Sequence, residues 1–186
     1  MQASSQGRTA VRQGSESAFP KAEYDGRQAR ARASLAKAGL DVMVVTGPEN
    51  IFYLTGQQTP GYYTFQALVL PVDGEPAFII RQLEYFTFIA PTFIADAAVY
   101  QDGDQPVDFL AEIVRRRRLA GKRIAIDKRG WFLPITVYET LRDKLGAIED
   151  GAGLVEGHLC RNEQWTTIEG ARREPLPAAP TPVGAP

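Results

Sequence analysis

The sequence predicts an α/β domain of three layers, with helices on both faces of a mixed sheet. Short strand-sized apolar runs alternate with longer segments of helical period, the pattern of strand–helix–strand units. One run, Val42–Thr46, is β-branched and nearly all apolar, as expected of a strand covered on both faces. Two further apolar runs flank Asp73-Gly74, a pair suited to a tight hairpin turn, so part of the sheet is antiparallel.

The elements follow in chain order. A first helix is predicted over Pro20–Ala38, with Pro20 at an early position and Gly39 as the stop. Tyr24, Gln28, Ala31, Leu35 and Ala38 share one face at steps of three and four. Gly26 weakens its first turn by about 1 kcal/mol against alanine. After the strand at 42–46, Gly47-Pro48 turns into a short helical segment, Pro48–Leu54, with Ile51 and Leu54 inward. Asn50 is expected to cap or turn the backbone there. A loop over Gly56–Thr64 precedes the strands Phe65–Leu70 and Ala77–Arg81. A short helix is expected at Leu83–Ile89, ended by Pro91, then a strand at Ala97–Gln101. The clearest helix is Pro106–Leu119, capped by Asp104, ended by Gly121, with Val107, Leu110, Ala111 and Val114 buried. Arg123–Asp127 reads as a strand and Pro134–Leu145 as a helix with Val137, Tyr138, Leu141 and Leu145 inward. A last strand is expected near Ala147–Glu149.

Composition restricts the function classes. Apolar residues make up 44% of the 186, enough for an ordinary core. A formal charge of −1 supplies no strong field to attract nucleic acid or anionic membrane, and no nucleic-acid partner is expected. No apolar run approaches the roughly 20 residues that span a bilayer, so no membrane partner is expected either. The polar N-terminus lacks a signal peptide's apolar centre. A single cysteine, Cys160, excludes an internal disulfide and suits a cytoplasmic location. Residues 1–18 read as a disordered leader. Residues 158–186 read as an aberrant tail whose last fifteen positions, Arg172–Pro186, hold five prolines. The ordered domain is expected over 19–157.

Several segments, in this order, resemble the N-terminal domain of the creatinase/prolidase/aminopeptidase P family. They are Phe19-Pro20 with Glu23-Tyr24, Arg27 and Arg30; Ala38–Asp41 leading into 42–46; and Pro48-Glu49-Asn50-Ile51-Phe52-Tyr53-Leu54-Thr55-Gly56. Asp73-Gly74-Glu75-Pro76, Arg123–Asp127 and Gly153-Leu154-Val155-Glu156 complete the set. The resemblance implies a ribonuclease H-like three-layer fold and a homodimer in which this domain lends loop residues to the rim of the neighbour's active site. It places catalysis in a following domain, which in most peptidase members holds two divalent metals (manganese, cobalt or zinc). That domain is not recognised in this sequence. The departure near His158 is read as a truncated or frame-shifted product. No catalytic residue, metal ligand or cofactor is therefore assigned to this chain.

The candidate residues have plain readings beside functional ones. Tyr62, Tyr63 and Phe65 form an aromatic cluster that is either a substrate rim reaching across a dimer or an anchor on the sheet edge. By resemblance Tyr62 and Thr64 fall near an aromatic residue and an arginine that hold a guanidino acid in creatinase; the arginine is absent, which argues against creatine. Arg81 could face a ligand, although a surface ion pair with Glu84 is favoured. The substrate-rim set is thus Tyr62, Tyr63, Thr64 and Arg81. Arg115–Arg118 reads as the solvated last turn of a helix, where cations meet the negative dipole end. His158 and Cys160 lack partners for a zinc site. Gly151-Ala152-Gly153 fails as a dinucleotide loop because Glu156 stands where the third glycine belongs. No Gly-x-Ser-x-Gly elbow occurs. Two functions of different class remain: a non-catalytic domain of an Xaa-Pro peptidase-like hydrolase, inactive alone, or a stand-alone peptide- or protein-binding module.

Overall fold

The computed structural model describes residues 17–88, 92–155 and 157. Most of the leader, the end of the helix expected at 83–89, and the tail with His158 and Cys160 lie outside the described residues. Within them the chain runs α1 (Lys21–Lys37), β1 (Val42–Val45), α2 (Pro48–Thr55), β2 (Ala67–Pro71), β3 (Ala77–Arg81), α3 (Gln82–Phe88), β4 (Asp96–Tyr100), α4 (Pro106–Arg116), β5 (Ile124–Ile126), α5 (Ile135–Leu145) and β6 (Ile148–Asp150).

The strands form one sheet in the order β4-β3-β2-β1-β5-β6. β2 is antiparallel to both β1 and β3, while β3–β4, β1–β5 and β5–β6 are parallel. The mixed sheet and the antiparallel hairpin are as the sequence predicts. The hairpin connection is wider than a two-residue turn, covering 72–76, with Gly74 at φ 104°. Arg32 braces it, its guanidinium donating to Pro71 O at 3.0 Å and Gly74 O at 2.9 Å.

Alternation along the strands sends side chains to two cores. Met43, Val45, Leu68, Leu70, Phe78 and Ile80 meet Ala31 and Leu35 of α1 and Ile51 and Leu54 of α2. Val42, Val44, Val69 and Ile79 meet Val107, Leu110, Ile113 and Val114 of α4 and Leu141 of α5. Tyr85 of α3 packs on the first face. The three layers are therefore α1/α2/α3, sheet, α4/α5.

Local chemistry differs from the sequence reading at several points. Asp104 does not cap α4: Gln105 occupies the N-cap, and the Asp104 carboxylate instead accepts the Gln101 N–H at 2.7 Å, closing the preceding turn. α4 stops at Arg116, short of Leu119, because Arg118 takes φ 57°. Ala38 lies past the end of α1 and is exposed, because the helix closes one residue earlier. On α5 only Leu141 is fully buried; Val137, Tyr138 and Leu145 are half-buried.

The joint between α1 and α2 uses two buried polar residues. Arg27 lies among the rings of Phe19, Tyr53 and Tyr24, with its guanidinium carbon 4.3, 4.7 and 5.5 Å from their centroids. It donates to Glu23 at 2.9 Å and to Tyr53 O at 3.1 Å, while Gln28 donates to Leu54 O at 3.0 Å. A helix leaves its last carbonyls without intrahelical donors. Here α1 supplies two of them for α2.

Candidate functional site

β1 and β5 are neighbours and parallel, so their C-terminal ends open onto one edge of the sheet. In open α/β sheets that edge is where loops converge on ligands. Beyond β1, Gly47 caps α2 and Pro48 takes its first position. Asn50 sits inside the first turn of this helix and is buried, and the N-cap belongs to Gly47. α2 ends at Gly56, whose φ of 77° and N–H···O bond to Phe52 O at 2.8 Å form a left-handed cap. The next residue, Gln57, is held by its own N–H donating to the Thr55 hydroxyl at 3.1 Å; that hydroxyl donates to Ile51 O at 2.7 Å.

The loop that follows is internally bonded. Thr59 accepts the Gly61 N–H at 2.9 Å, and Thr64 donates its hydroxyl to Gly61 O at 2.7 Å while its N–H reaches the same oxygen at 2.9 Å. This turn presents Tyr62 and Tyr63, 52% and 75% exposed, with their rings edge to face at 6.1 Å. Tyr62 also meets Phe132 edge-on at 6.1 Å. Phe132 comes from beyond β5, where Asp127 accepts the Arg129 N–H at 2.9 Å and Lys128 donates its ammonium to Ile148 O at 2.7 Å.

Between these elements lies a cleft of about 370 Å³. Pro48, Phe52, Tyr62 and Phe132 give it an aromatic and apolar lining, Gln57 and Gln66 an amide lining, and Glu49 a carboxylate. Gln57 and Gln66 are only 3% and 5% exposed. Among the described residues, neither side-chain atom of Gln57 nor Oε1 of Gln66 has a hydrogen-bond partner. Thr46, at the end of β1, has an unpartnered buried hydroxyl as well. A buried polar atom left unpaired costs about 1–3 kcal/mol.

The four residues assigned to a rim separate into two groups. Tyr62 lines the cleft and Tyr63 packs on it, whereas the Thr64 hydroxyl is spent on closing the turn. Arg81 is engaged elsewhere. Its main partner is Asp102, gripped through two bonds of 2.6 Å, with Glu84 more distant at 3.7 Å. That hydrogen-bonded pairing raises the Arg81 pKa and holds the Asp102 carboxyl below its usual range. Glu84 is buried under the turn, so close that a Cβ on Gly61 would lie 2.1 Å from its Oε1. Phe65 belongs to the anchor reading, since its carbonyl accepts the Tyr100 hydroxyl at 2.6 Å. Burial pushes the Tyr100 phenol upward.

The sequence of residues 27–158 matches the creatinase/prolidase N-terminal domain family. The chain belongs to that family. Relatives at the level of whole proteins include the ectoine hydrolase of Halomonas elongata, 30% identical over an alignment of 104 positions that covers 52% of this chain and 26% of that protein. The Xaa-Pro dipeptidase of Lactobacillus delbrueckii is 29% identical over 58% of this chain and 28% of its own length. Among solved structures, dipeptidase PepE of Mycobacterium ulcerans superposes with a TM-score of 0.61 at 27% identity, over 76% of this chain and 37% of PepE. The N-terminal domain of an Xaa-Pro dipeptidase from Lactobacillus brevis has the same fold, with a TM-score of 0.62 over 70% of this chain and 98% of that domain. This chain thus spans about a quarter to a third of the curated hydrolases it matches.

Among the described residues, no group of three or more His, Cys, Asp or Glu side chains is placed to hold a cation. The divalent pair implied by the resemblance finds no donor set among those residues. Among the same residues no helix is long and apolar enough to cross a membrane.

The arginine run is structural. Arg116 and Arg117 both bind Asp96 at the start of β4, and Arg117 donates to Glu75 O. Burial works to raise the Asp96 carboxyl, but the two arginines outweigh it and hold the group below its usual value. Gln57, Gln66 and Phe132 carry no motif in the sequence, whereas Phe52 falls within the Pro48–Gly56 segment that carries the resemblance. The only signal for the first three is topological: two parallel strands at the centre of a sheet bring residues 46–57 and 127–132 to one edge.

Proposed function

We propose that this domain is the non-catalytic N-terminal part of an Xaa-Pro peptidase-like hydrolase, acting through dimer contacts and by contributing to the rim of an active site. The single observation that carries the reading is the family match over 27–158 in a chain that spans about a quarter to a third of its hydrolase relatives. The two exposed tyrosines on a bonded turn support the rim role, since a rim residue needs a fixed backbone and a free ring.

The test is direct. The purified chain, assayed on Xaa-Pro dipeptides with manganese added, is expected to give no turnover. Turnover that a chelator abolishes would overturn the proposal. Light scattering on the same sample is expected to give twice the mass of one chain, and a concentration-independent monomer would remove the dimer contact from it. A second reading, a stand-alone peptide-binding module, is favoured by the cleft itself, which is assembled wholly from this domain's residues.

A further inference from the structure

We infer that the outer edge of β4 is the surface through which two copies of this chain associate, each laying its β4 antiparallel to the other's so that two six-stranded sheets run into one. This rests on the dimer contact of the proposed function and names the residues that make it. It involves neither the cleft nor the Tyr62 turn.

A sheet edge leaves a row of backbone N–H and C=O groups without strand partners, and an edge that stays single is commonly guarded by brevity or by charge. The two edges of this sheet differ in that respect. β6 is three residues long, and two of them, Glu149 and Asp150, are exposed carboxylates. β4 is five residues long, and its middle three, Ala97, Ala98 and Val99, carry no charge, proline or glycine. Those three pack on the cores, Ala97 and Val99 on the α1/α2/α3 face and Ala98 on the α4/α5 face, yet each stays half-buried. Their register partners in β3, Phe78, Ile79 and Ile80, are fully covered, because β3 has a strand on either side. Among the described residues no loop backbone group bonds to β4. What Ala97–Val99 lack is the next strand.

The charges at the two ends of β4 select that strand. At the start, Asp96 is bound by two arginines, Arg116 and Arg117, and Arg116 is exposed. At the other end Arg81 faces two carboxylates, Asp102 at 2.6 Å and Glu84 at 3.7 Å, and Asp102 is exposed. A carboxylate accepts about four bonds, and Arg81 supplies two of them to Asp102. One end of β4 therefore has an excess of positive charge and the other an excess of negative charge. Antiparallel pairing about a dyad at Ala98 sets the arginine-rich end of each strand beside the carboxylate-rich end of its partner, so Arg116 comes near Asp102 of the partner subunit, and by symmetry this happens twice. Parallel pairing would set like ends together. A second copy of this chain meets the requirement with no other surface needed.

The experiment is hydrogen exchange read by mass spectrometry on the full 186-residue chain, over about a hundredfold range of chain concentration, with light scattering on the same samples. An edge amide exchanges from the unpaired fraction, so at about 90% dimer the outward amides of β4 are expected to exchange about tenfold more slowly, with β6 unchanged. A98K sets two ammonium groups across the dyad, while in the lone chain a lysine on an edge strand keeps its charge in water. It is expected to be a monomer with the parent's circular dichroism. A dimer whose β4 amides exchange at one rate at every concentration would overturn the inference and leave the dimer contact to another surface. So would a folded A98K that dimerises like the parent. A parent that stays monomeric throughout would overturn both the inference and the dimer contact, and would leave the edge to a strand from a different protein. None of these outcomes bears on the peptidase assay above.

Discussion

Replacing Gly56 with alanine should be among the most damaging single substitutions in this domain. Two costs add. The residue sits at φ 77°, a conformation that costs an L residue about 1 kcal/mol. A Cβ built there also lies 2.6 Å from Oη and 2.9 Å from Cζ of Tyr24, a side chain only 2% exposed and packed in the α1–α2 joint. Overpacking of this kind costs about 1–3 kcal/mol. The sum is about 3 kcal/mol, and with a urea slope of about 2 kcal/mol per M the unfolding midpoint should fall by about 1.5 M. The Tyr24 hydroxyl has no hydrogen-bond partner among the described residues, so Y24F alone should be neutral or slightly stabilising. Combined with G56A, Y24F removes the nearest atom and should recover about 1 kcal/mol, read as a coupling in the double-mutant cycle. A midpoint shift for G56A below about 0.3 M would refute the reasoning. A full-sized loss with no recovery in the double variant would refute the steric half alone and leave the backbone half standing.

The remaining expectations are these. R27M removes the guanidinium that serves the Tyr53 carbonyl and the aromatic sandwich at once, and should cost about 2–3 kcal/mol in urea unfolding. Asp96 has a lowered pKa in the folded chain, so its contribution is complete above the ordinary carboxylate value near 3.8 and is lost as pH falls from there through the folded value. The parent's urea midpoint should therefore drop more steeply below about pH 4 than that of D96N, which should cost about 1 kcal/mol at neutral pH. W131A removes a side chain that is 97% exposed and should change monomer stability by less than about 0.5 kcal/mol.

How much of this was legible depends on whether the cause is local. The apolar run of β1 and three of the four stripe residues of α4 are readable because each element's neighbours repeat at its own period, while Ile113 takes the buried place read for Ala111, which is half-buried. Gly56 is readable because a left-handed stop after Pro48–Thr55 calls for glycine. The role of Asp104 is misread because a carboxylate before a helix serves a cap or a turn equally well, and the Gln101 N–H decides between them. Arg81 is read in part: its ion pair with Glu84, three residues away in sequence, forms at 3.7 Å, but its closer partner Asp102 is brought beside it by the parallel pairing of β3 and β4. The turn holding Tyr62 and Tyr63 is placed correctly, yet what the tyrosines adjoin is not, because Phe132 lies 70 positions downstream and reaches them only through the β1–β5 pairing.

The distribution of unpaired polar atoms is itself informative about selection. A domain of this size has a net stability of about 5–15 kcal/mol, so a few buried polar groups at about 1–3 kcal/mol each are a heavy burden. Elsewhere the interior is mixed: Arg27 and Gln28 are buried and each finds a backbone carbonyl, while Tyr24 Oη and Glu84 Oε2 are unpartnered among the described residues. At the edge formed by β1 and β5, Thr46 and both cleft glutamines carry unpartnered atoms among the described residues. Leucine or methionine at 57 and 66 would fill the same space at lower cost if stability were the only demand. Local rules give way where a site imposes its own requirements, and the buried amides of Gln57 and Gln66 behind an aromatic cleft are where this domain departs from them.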